Sequence, residues 1–201
     1  MIGDGACTFF RTRSFAESAR LIQAISELPG LEGHIPDVDL RQDGVTVRLI
    51  TITDDYYGMS QRDVELARQI SAAALRLGLS GDSSRVQSLV VIPGVSVTAE
   101  VMPFWRAVLG YEPRGDTPDE DLVDPRSRGP AFWFERMREP RQGGGAIHVA
   151  IWVPPEQAEA RVAAALAAGG HLVRDEFAPA WWTLVDAAGN EADIATTLTR
   201  D

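Results

Sequence analysis

The chain has 201 residues and a formal net charge of −10, and its basic residues are all arginine. This length allows one large domain or two small ones. The absence of lysine excludes a Schiff-base lysine and the lysine of a phosphate-binding loop. An acidic chain without a basic block disfavours binding to nucleic acid or to an anionic membrane surface.

The cysteine content and the hydropathy indicate a compartment. Cys7 is the only cysteine, so an intramolecular disulfide is excluded and a reducing compartment is favoured. No apolar run approaches the length of a membrane span, and the N-terminus lacks a basic region followed by an apolar core. We therefore expect a cytoplasmic protein without membrane association.

The first 84 residues have the pattern of a small domain with strands and two helices. Ser14 and Glu17 predict a capping box before a helix, and Ser60 with Asp63 predicts the start of a second one. Between the helices, Val45 to Ile50 alternates between two faces, as in a half-buried strand. The predicted elements are a strand over 8–11, a helix from 14 to about 29, a loop over 33–37, a strand over 44–53, a turn over 54–58 and a helix over 60–77.

Two glycine-rich segments indicate how the chain is divided. Gly78 to Ser84 cannot bury much surface and is predicted to link two domains, residues 1–84 and residues 85–201. Gly143-Gly144-Gly145 lacks the following helix and the lysine of a phosphate loop. It is predicted to connect two halves of the second domain.

The second domain is predicted to contain one β-α-β-β-β pattern twice. Ile147 to Val153 alternates like a strand, an alanine-rich helix follows over 156–168, and Gly169-Gly170 ends that helix. Three strands are predicted after it, over 171–173, 181–185 and 191–196. The upstream copy has a strand over 88–92, a helix over 101–109 closed by Gly110, and strands over 111–114, 121–124 and 131–136.

Three motifs of the N-terminal domain carry a family resemblance. They are Gly33-His34-Ile35-Pro36-Asp37-Val38, the strand from Val45 to Leu49, and the helix start from Gly58 to Ala67. Over roughly residues 8 to 80, they resemble the histidine loop, a strand and a helix of the pterin-4a-carbinolamine dehydratases. The resemblance implies a dehydratase-like α/β domain.

Three motifs of the second domain carry another resemblance. They are Phe104 to Tyr111, Ile147 to Val153, and Asp186-Ala187-Ala188-Gly189-Asn190-Glu191-Ala192-Asp193. They resemble the vicinal oxygen chelate superfamily, which includes glyoxalases and bleomycin-resistance proteins, over roughly residues 85 to 198. We therefore expect an α+β protein, with a dehydratase-like domain followed by paired βαβββ modules, similar to actinobacterial fusions of these two families.

The dehydratase resemblance implies three histidines that transfer protons while water leaves a carbinolamine. His34 matches the first histidine, but Ile35 and Ile52 stand at the other two positions. Isoleucine cannot transfer a proton, so the resemblance implies that this activity is lost or severely reduced. The domain is then a packing or dimerisation module, or its pocket binds a more apolar ligand against His34 and Tyr56.

The glyoxalase resemblance implies four metal ligands, from the first and last strands of each module. His148, Glu135 and Asp193 match three of these positions, and Gln87 or Ser88 falls at the fourth. One histidine with two carboxylates suits a divalent ion that keeps open positions for a substrate. The same three residues are the predicted catalytic group. On spacing alone, His148 is instead a hydrogen-bonded core histidine, with Glu135 and Asp193 facing solvent.

Aromatic and arginine side chains are candidates for the substrate pocket. Trp152, Trp182 and Trp105 are predicted to form its apolar wall, and Arg136 to hold an anionic group. The alternative is that the tryptophans pack in the core or at its rim and that the arginine is solvated.

These observations predict an enzyme that acts on a small organic molecule in the glyoxalase-like cavity, as a lyase, isomerase or cyclase of specialised metabolism. A second hypothesis is a non-catalytic protein that sequesters a drug-like compound, and a third is a scaffold whose first domain only mediates association. The expected partners are a small-molecule ligand and a second copy of the chain in a homodimer. Apart from one divalent metal ion, we expect no cofactor.

Overall fold

The computed structural model describes residues 5–86, 89–95, 97–136 and 147–198. The chain divides into two compact units, residues 1–88 and 89–201. The boundary predicted after Ser84 lies a few residues before this division. Among the described residues, no helix is both long enough and apolar enough to cross a membrane.

The first unit contains a four-stranded sheet with the order β2-β3-β1-β6 and two helices. The alternation predicted in the central strand is confirmed, because Val45, Val47 and Leu49 are all buried. Strand β2 was not predicted, since its sequence is mostly polar and it is an exposed edge strand. The strands are β1 (Ala6–Arg11), β2 (Asp37–Arg41), β3 (Gly44–Leu49) and β6 (Gly81–Asp82), and a 3₁₀ turn (Ser83–Arg85) follows.

The two helices of this unit begin at the predicted caps. In α1 (Phe15–Ser26), the Ser14 hydroxyl accepts from the backbone N–H of Glu17 at 3.2 Å. In α2 (Gln61–Arg76), Ser60 and Asp63 form a complete capping box. Their apolar faces bury Leu21 and Ile25 from α1, and Leu66 and Ile70 from α2, in one cluster with the sheet.

A hairpin between β3 and α2 differs from the prediction. The strand expected over 44–53 is interrupted at Ile50, and its second part is β4 (Thr51–Thr53). The segment predicted as a turn over 54–58 contains β5 (Tyr56–Gly58), which pairs antiparallel with β4. Ile52 lies opposite Tyr57 in this two-stranded sheet.

The second unit contains the predicted duplication. In the upstream copy, the sheet order is β7-β11-β10-β9, and α3 ends at Gly110 with the left-handed φ of 65° that glycine tolerates. A separate pair joins β8 to β12. The elements are β7 (Val90–Val91), β8 (Gly94–Val95), α3 (Thr98–Leu109), β9 (Glu112–Pro113), β10 (Asp121–Val123), β11 (Ala131–Trp133) and β12 (Glu135–Arg136).

The downstream copy has the same topology. Its sheet order is β13-β16-β15-β14, and in each copy the first strand runs parallel to the last while the other neighbours are antiparallel. The elements are β13 (His148–Trp152), α4 (Pro155–Ala167), β14 (His171–Arg174), β15 (Trp181–Val185) and β16 (Glu191–Ala195). The predicted glycine connection at 143–145 lies outside the described residues.

One apolar core joins the two copies. Phe104, Trp105 and Val108 of α3 pack in the same cluster as Leu184 of β15 and Ile194 of β16. Alanines of α4 belong to the same cluster. The helices therefore cover the apolar face of the downstream sheet, which leaves its other face for polar side chains.

Candidate functional site

The downstream sheet has one apolar face and one polar face because alternate residues point to opposite sides. The register pairs Ala150 with Asp193, Thr183 with Asp193, and His148 with Glu191. These side chains therefore share the face opposite the core. We call His148, Arg174, Thr183, Glu191 and Asp193 the polar sheet face.

His148 and Asp193 meet at the centre of the polar sheet face. Nε2 of His148 lies 3.0 Å from Oδ2 of Asp193, and the side chains are 47% and 19% exposed. The buried Thr183 hydroxyl donates to Oδ1 of Asp193 at 2.7 Å. This bond fixes the carboxylate, and the carboxylate in turn orients the imidazole ring.

Glu191 lies on the other side of the imidazole and was not predicted. Nδ1 of His148 lies 3.4 Å from Oε2 of Glu191, and the Arg174 guanidinium is 3.7 Å from the same oxygen. Glu191 is two residues before Asp193 in one strand, so strand periodicity alone would have placed it on the same face. Thr183 and Arg174 lie on this face because of the register between the strands, and that register cannot be read from the sequence alone.

The described residues do not complete a metal site around His148. Each of its ring nitrogens faces a carboxylate, and a carboxylate beside one nitrogen is also common when the other nitrogen binds a metal. Within the described part of the chain, no three histidine, cysteine, aspartate or glutamate side chains are grouped so that they hold a metal ion. Gln87 lies outside the described residues, and only the backbone of Glu135 is described, in β12. The predicted four-ligand set therefore stays a prediction.

The predicted aromatic wall is corrected at two positions. Trp105 is fully buried in the core and its indole Nε1 donates to Asp186 at 2.8 Å, so it supports the fold and a ligand cannot reach it. Trp182 lies opposite Ile194 and packs against the core. Its neighbour Trp181 shares the side of Thr183 and stacks on Phe177, with ring centroids 4.3 Å apart.

The remaining two members of the predicted pocket are placed only by their backbones. Trp152 is the last residue of β13, and Arg136 is the last residue of β12. The register puts Trp152 opposite Ala195, in the same row as Trp181. Their roles as ligand contacts remain predictions.

The first unit contains a polar network around a fully buried carboxylate. Oδ1 of Asp63 lies 2.7 Å from Nε2 of His34, and Oδ2 accepts from Thr51 Oγ1 at 2.6 Å and from Ser60 N at 2.7 Å. Burial opposes ionisation of this group, but the hydrogen bonds from Thr51, Ser60 and His34 outweigh it and hold the pKa of Asp63 below its usual value. The network anchors the His34 loop and the β4 strand to the start of α2.

The side chains beside this network are apolar and face solvent. Ile35 is 81% exposed and Ile52 is 53% exposed, although these positions match the missing histidines. The Tyr56 hydroxyl donates to the Met59 carbonyl at 2.6 Å, so its predicted ligand contact would come from the ring. His34 is the one matching histidine, and it is already paired with Asp63.

We expect the contribution of Asp63 to stability to be lost on acidification. Its folded pKa lies below the unfolded value of about 4, so the unfolded state binds the proton more readily. The contribution is therefore complete above about pH 4 and declines as the pH falls through the lower folded pKa. In urea unfolding, the free-energy difference between wild type and Asp63→Asn should shrink between about pH 6 and about pH 3.

An exposed aspartate in the same unit provides the control for this measurement. Asp39 is exposed and pairs with the exposed Arg41, so Asp39→Asn should change the free energy of unfolding by less than about 1 kcal/mol. A difference for Asp63→Asn that stays constant over the same pH range would contradict the assigned role of the buried carboxylate.

Comparison with known proteins agrees with these two units. A model of the glyoxalase-like domain matches residues 90–195, and a model of pterin 4 alpha carbinolamine dehydratase matches residues 5–73. The chain belongs to the glyoxalase-like domain family, and its N-terminal part belongs to the pterin-4a-carbinolamine dehydratase family. Both predicted resemblances and the α+β class are thereby confirmed.

Individual relatives match one unit each. A protein of Nocardia farcinica assigned as a pterin-4-alpha-carbinolamine dehydratase is 35% identical over 72 residues, which cover 36% of this chain and 74% of that protein. A glyoxalase-related enzyme from Fulvimarina pelagi matches with 20% identity and a TM-score of 0.42, over 56% of this chain and 89% of its own. A glyoxalase/bleomycin resistance protein from Albidiferax ferrireducens matches with 21% identity and a TM-score of 0.38, over 54% and 96% respectively.

Proposed function

We propose that the glyoxalase-like unit is an enzyme that moves protons on a small organic substrate, as an isomerase or a lyase. The observation that carries this proposal is the half-exposed His148 held by Asp193, which is itself held by the buried Thr183. Histidine is the side chain best suited to give and take protons near neutral pH. A histidine oriented by a carboxylate is the usual arrangement of such a group.

The two sides of the imidazole have different roles in this proposal. The contact from Nε2 to Asp193 is a good hydrogen-bond distance and fixes the ring. The contact from Nδ1 to Glu191 is longer, at 3.4 Å, and both partners are partly exposed. A substrate therefore approaches from the Nδ1 side and exchanges a proton with that nitrogen.

Glu191 supplies a second proton-transfer group beside the first. An isomerase removes a proton from one atom and returns a proton to another, whereas a lyase needs a base for the substrate and an acid for the leaving group. His148 and Glu191, whose Nδ1 and Oε2 atoms are 3.4 Å apart, share these proton-transfer steps. Arg174 keeps Glu191 in place through the contact at 3.7 Å, or it pairs with an anionic group of the substrate.

A non-catalytic binding protein is the second candidate. It is favoured by one observation, which is that both ring nitrogens of His148 already face carboxylates. Such a group of polar side chains can form the floor of a binding site without transferring a proton. The aromatic stack of Trp181 on Phe177 at the same side of the sheet suits the flat part of a ligand under either candidate.

Deuterium exchange separates the enzyme from the binder. We expect wild-type protein, incubated in D₂O with a metabolite extract, to introduce solvent deuterium into one compound or to convert it, as detected by mass spectrometry. His148→Asn should slow this reaction by about a hundredfold or more because the proton-transfer group is removed. The control is His171→Asn, which changes an exposed histidine on the edge strand β14.

The outcomes of that experiment are distinct. A compound that co-purifies with the protein but neither exchanges nor reacts would favour the binder. Equal rates for wild type and His148→Asn would remove His148 from the mechanism. Elemental analysis of the same preparations tests the metal prediction, since a near-stoichiometric divalent ion that His148→Asn removes would place His148 in a metal site.

A further inference from the structure

A large open cavity lies on the helix side of the glyoxalase-like unit, away from the polar sheet face. Its volume is about 1240 Å³, which exceeds the roughly 300–1,000 Å³ of ordinary small-molecule sites. Helices α3 and α4 form its walls, together with the chain that follows α3. The apolar part of its lining includes Met102, Ala107, Ala160 and Ala164 of the two helices, together with Tyr111 and several prolines.

Arg161 forms one end of this cavity, and Arg126 lies near it but outside the lining. Arg161 is partly buried, lines the cavity, and donates from Nη1 to the carbonyl of Val108 at 3.0 Å. Arg126 donates to the next carbonyl, that of Leu109, at 3.3 Å. Gly110 leaves room for this arrangement, because a Cβ there would lie 2.6 Å from Nη1 of Arg161. The two guanidinium groups therefore meet where the helix dipole of α3 is negative.

The charges of these two arginines are balanced differently. Arg126 is paired with Asp124, with Nε to Oδ1 at 2.9 Å. Arg161 has no carboxylate partner among the residues that the structure describes, and burial together with Arg126 lowers the pKa of Arg161. The Val108 carbonyl and the negative end of α3 offset part of the cost of a partly buried guanidinium beside a second cation, and an approaching anion would offset more of it. Its free N–H groups are suited to a carboxylate or a sulfonate.

The other charged residues of the cavity limit the kind of anion. Arg106 is exposed and adds one positive charge, while Glu112, Asp119 and Glu156 are exposed and add negative ones. Exposed carboxylates are screened by water, but together they repel a polyanion such as a nucleotide. A ligand with a single negative charge and an apolar body fits both the arginine end and the apolar walls.

We propose that this cavity is a second small-molecule site, which binds an apolar organic monoanion through Arg161. The apolar body lies along the alanines and Met102 between the two helices, and the anionic group receives hydrogen bonds from Arg161, with Arg106 adding attraction from the exposed side. This site is separate from the polar sheet face and does not depend on the reaction proposed there.

Two fluorescent probes test this site on the full chain. The first is the anion 1-anilinonaphthalene-8-sulfonate, and the second is N-phenyl-1-naphthylamine, which has a similar body without the sulfonate. We expect Arg161→Gln to weaken binding of the anion about tenfold, as loss of one charge-assisted hydrogen bond does. Arg106→Gln should weaken it about threefold because that side chain is exposed. Binding of the neutral probe should change by less than about twofold.

Two further variants keep the test decisive. Arg161→Lys retains the charge, so it should recover part of the affinity even if Arg161→Gln destabilises the end of α3. Arg41→Gln removes an exposed arginine of the other unit and should leave binding of the anion unchanged. If the anion binds equally to wild type, Arg161→Gln and Arg106→Gln, or if both probes weaken in parallel, the proposed site is wrong.

Discussion

The purified protein is expected to dehydrate a pterin carbinolamine about 10,000-fold more slowly than a family member that has all three histidines. Each proton-transfer group contributes about a hundredfold or more, and two of the three positions hold Ile35 and Ile52. The remaining histidine, His34, is oriented by the buried Asp63 at 2.7 Å, but it cannot replace the two missing groups. Turnover measured by absorbance with a freshly generated carbinolamine gives the comparison.

Substitution at the two isoleucines provides the matched test. Both side chains are exposed, so replacing them should not disturb the core. The double variant Ile35→His/Ile52→His should raise dehydration by at least about tenfold, while Ile35→Gln/Ile52→Gln, which is polar but not a proton-transfer pair, should not. A wild-type rate within about tenfold of an active dehydratase would show that the isoleucines are compatible with this chemistry.

Asp186→Ala is expected to destabilise the glyoxalase-like unit by about 3–5 kcal/mol. The buried Asp186 carboxylate accepts from Trp105 Nε1 at 2.8 Å, Asn190 N at 2.8 Å, Asn190 Nδ2 at 2.9 Å and Ala188 N at 2.9 Å. Alanine would leave these donors without an acceptor, and three of the four contacts are in the interior. Urea unfolding followed by tryptophan fluorescence measures the loss, because Trp105 reports on this core.

Two controls separate the hydrogen bonds from general effects of substitution. Asp186→Asn keeps the shape and one acceptor oxygen, so it should cost less than the alanine variant. Asp175→Ala changes an exposed aspartate of the same unit and should stay within about 0.5 kcal/mol of wild type. A loss below about 1 kcal/mol for Asp186→Ala would mean that water replaces the carboxylate at these donors.

Asp186 has both a local role in a turn and a long-range role in the core. The Asp186-to-Asn190 segment is predictable as a turn, and the structure confirms the turn through its backbone hydrogen bonds. That its carboxylate also binds Trp105, 81 positions earlier in the chain, is visible only after the two copies have packed together. This contact satisfies the indole N–H that Trp105 carries into the core.

The duplicated module was predictable because each of its elements has a signal in its own local sequence. Alternation marks β13, spaced apolar residues mark α3 and α4, and Gly110 and Gly169 take the left-handed conformation that ends the helices. The edge strand β2 was missed although Asp37 to Arg41 alternates between charged and apolar residues, because five residues with three charges give only a short and weak signal. The antiparallel pairing of β2 with β3 is what establishes it as a strand.

The sequence by itself determined the two families, the order of the elements and the choice of His34, His148 and Asp193 as candidates. These depend on residue types and on spacing over short distances. Tertiary structure decided which side chains meet them: Asp63 for His34, and Thr183 and Glu191 for the polar sheet face. It also decided that Trp181, rather than Trp182, lies on that face. The physical reason is that strand register sets the side of the sheet on which each residue lies, and register is fixed by contacts between segments far apart in the chain.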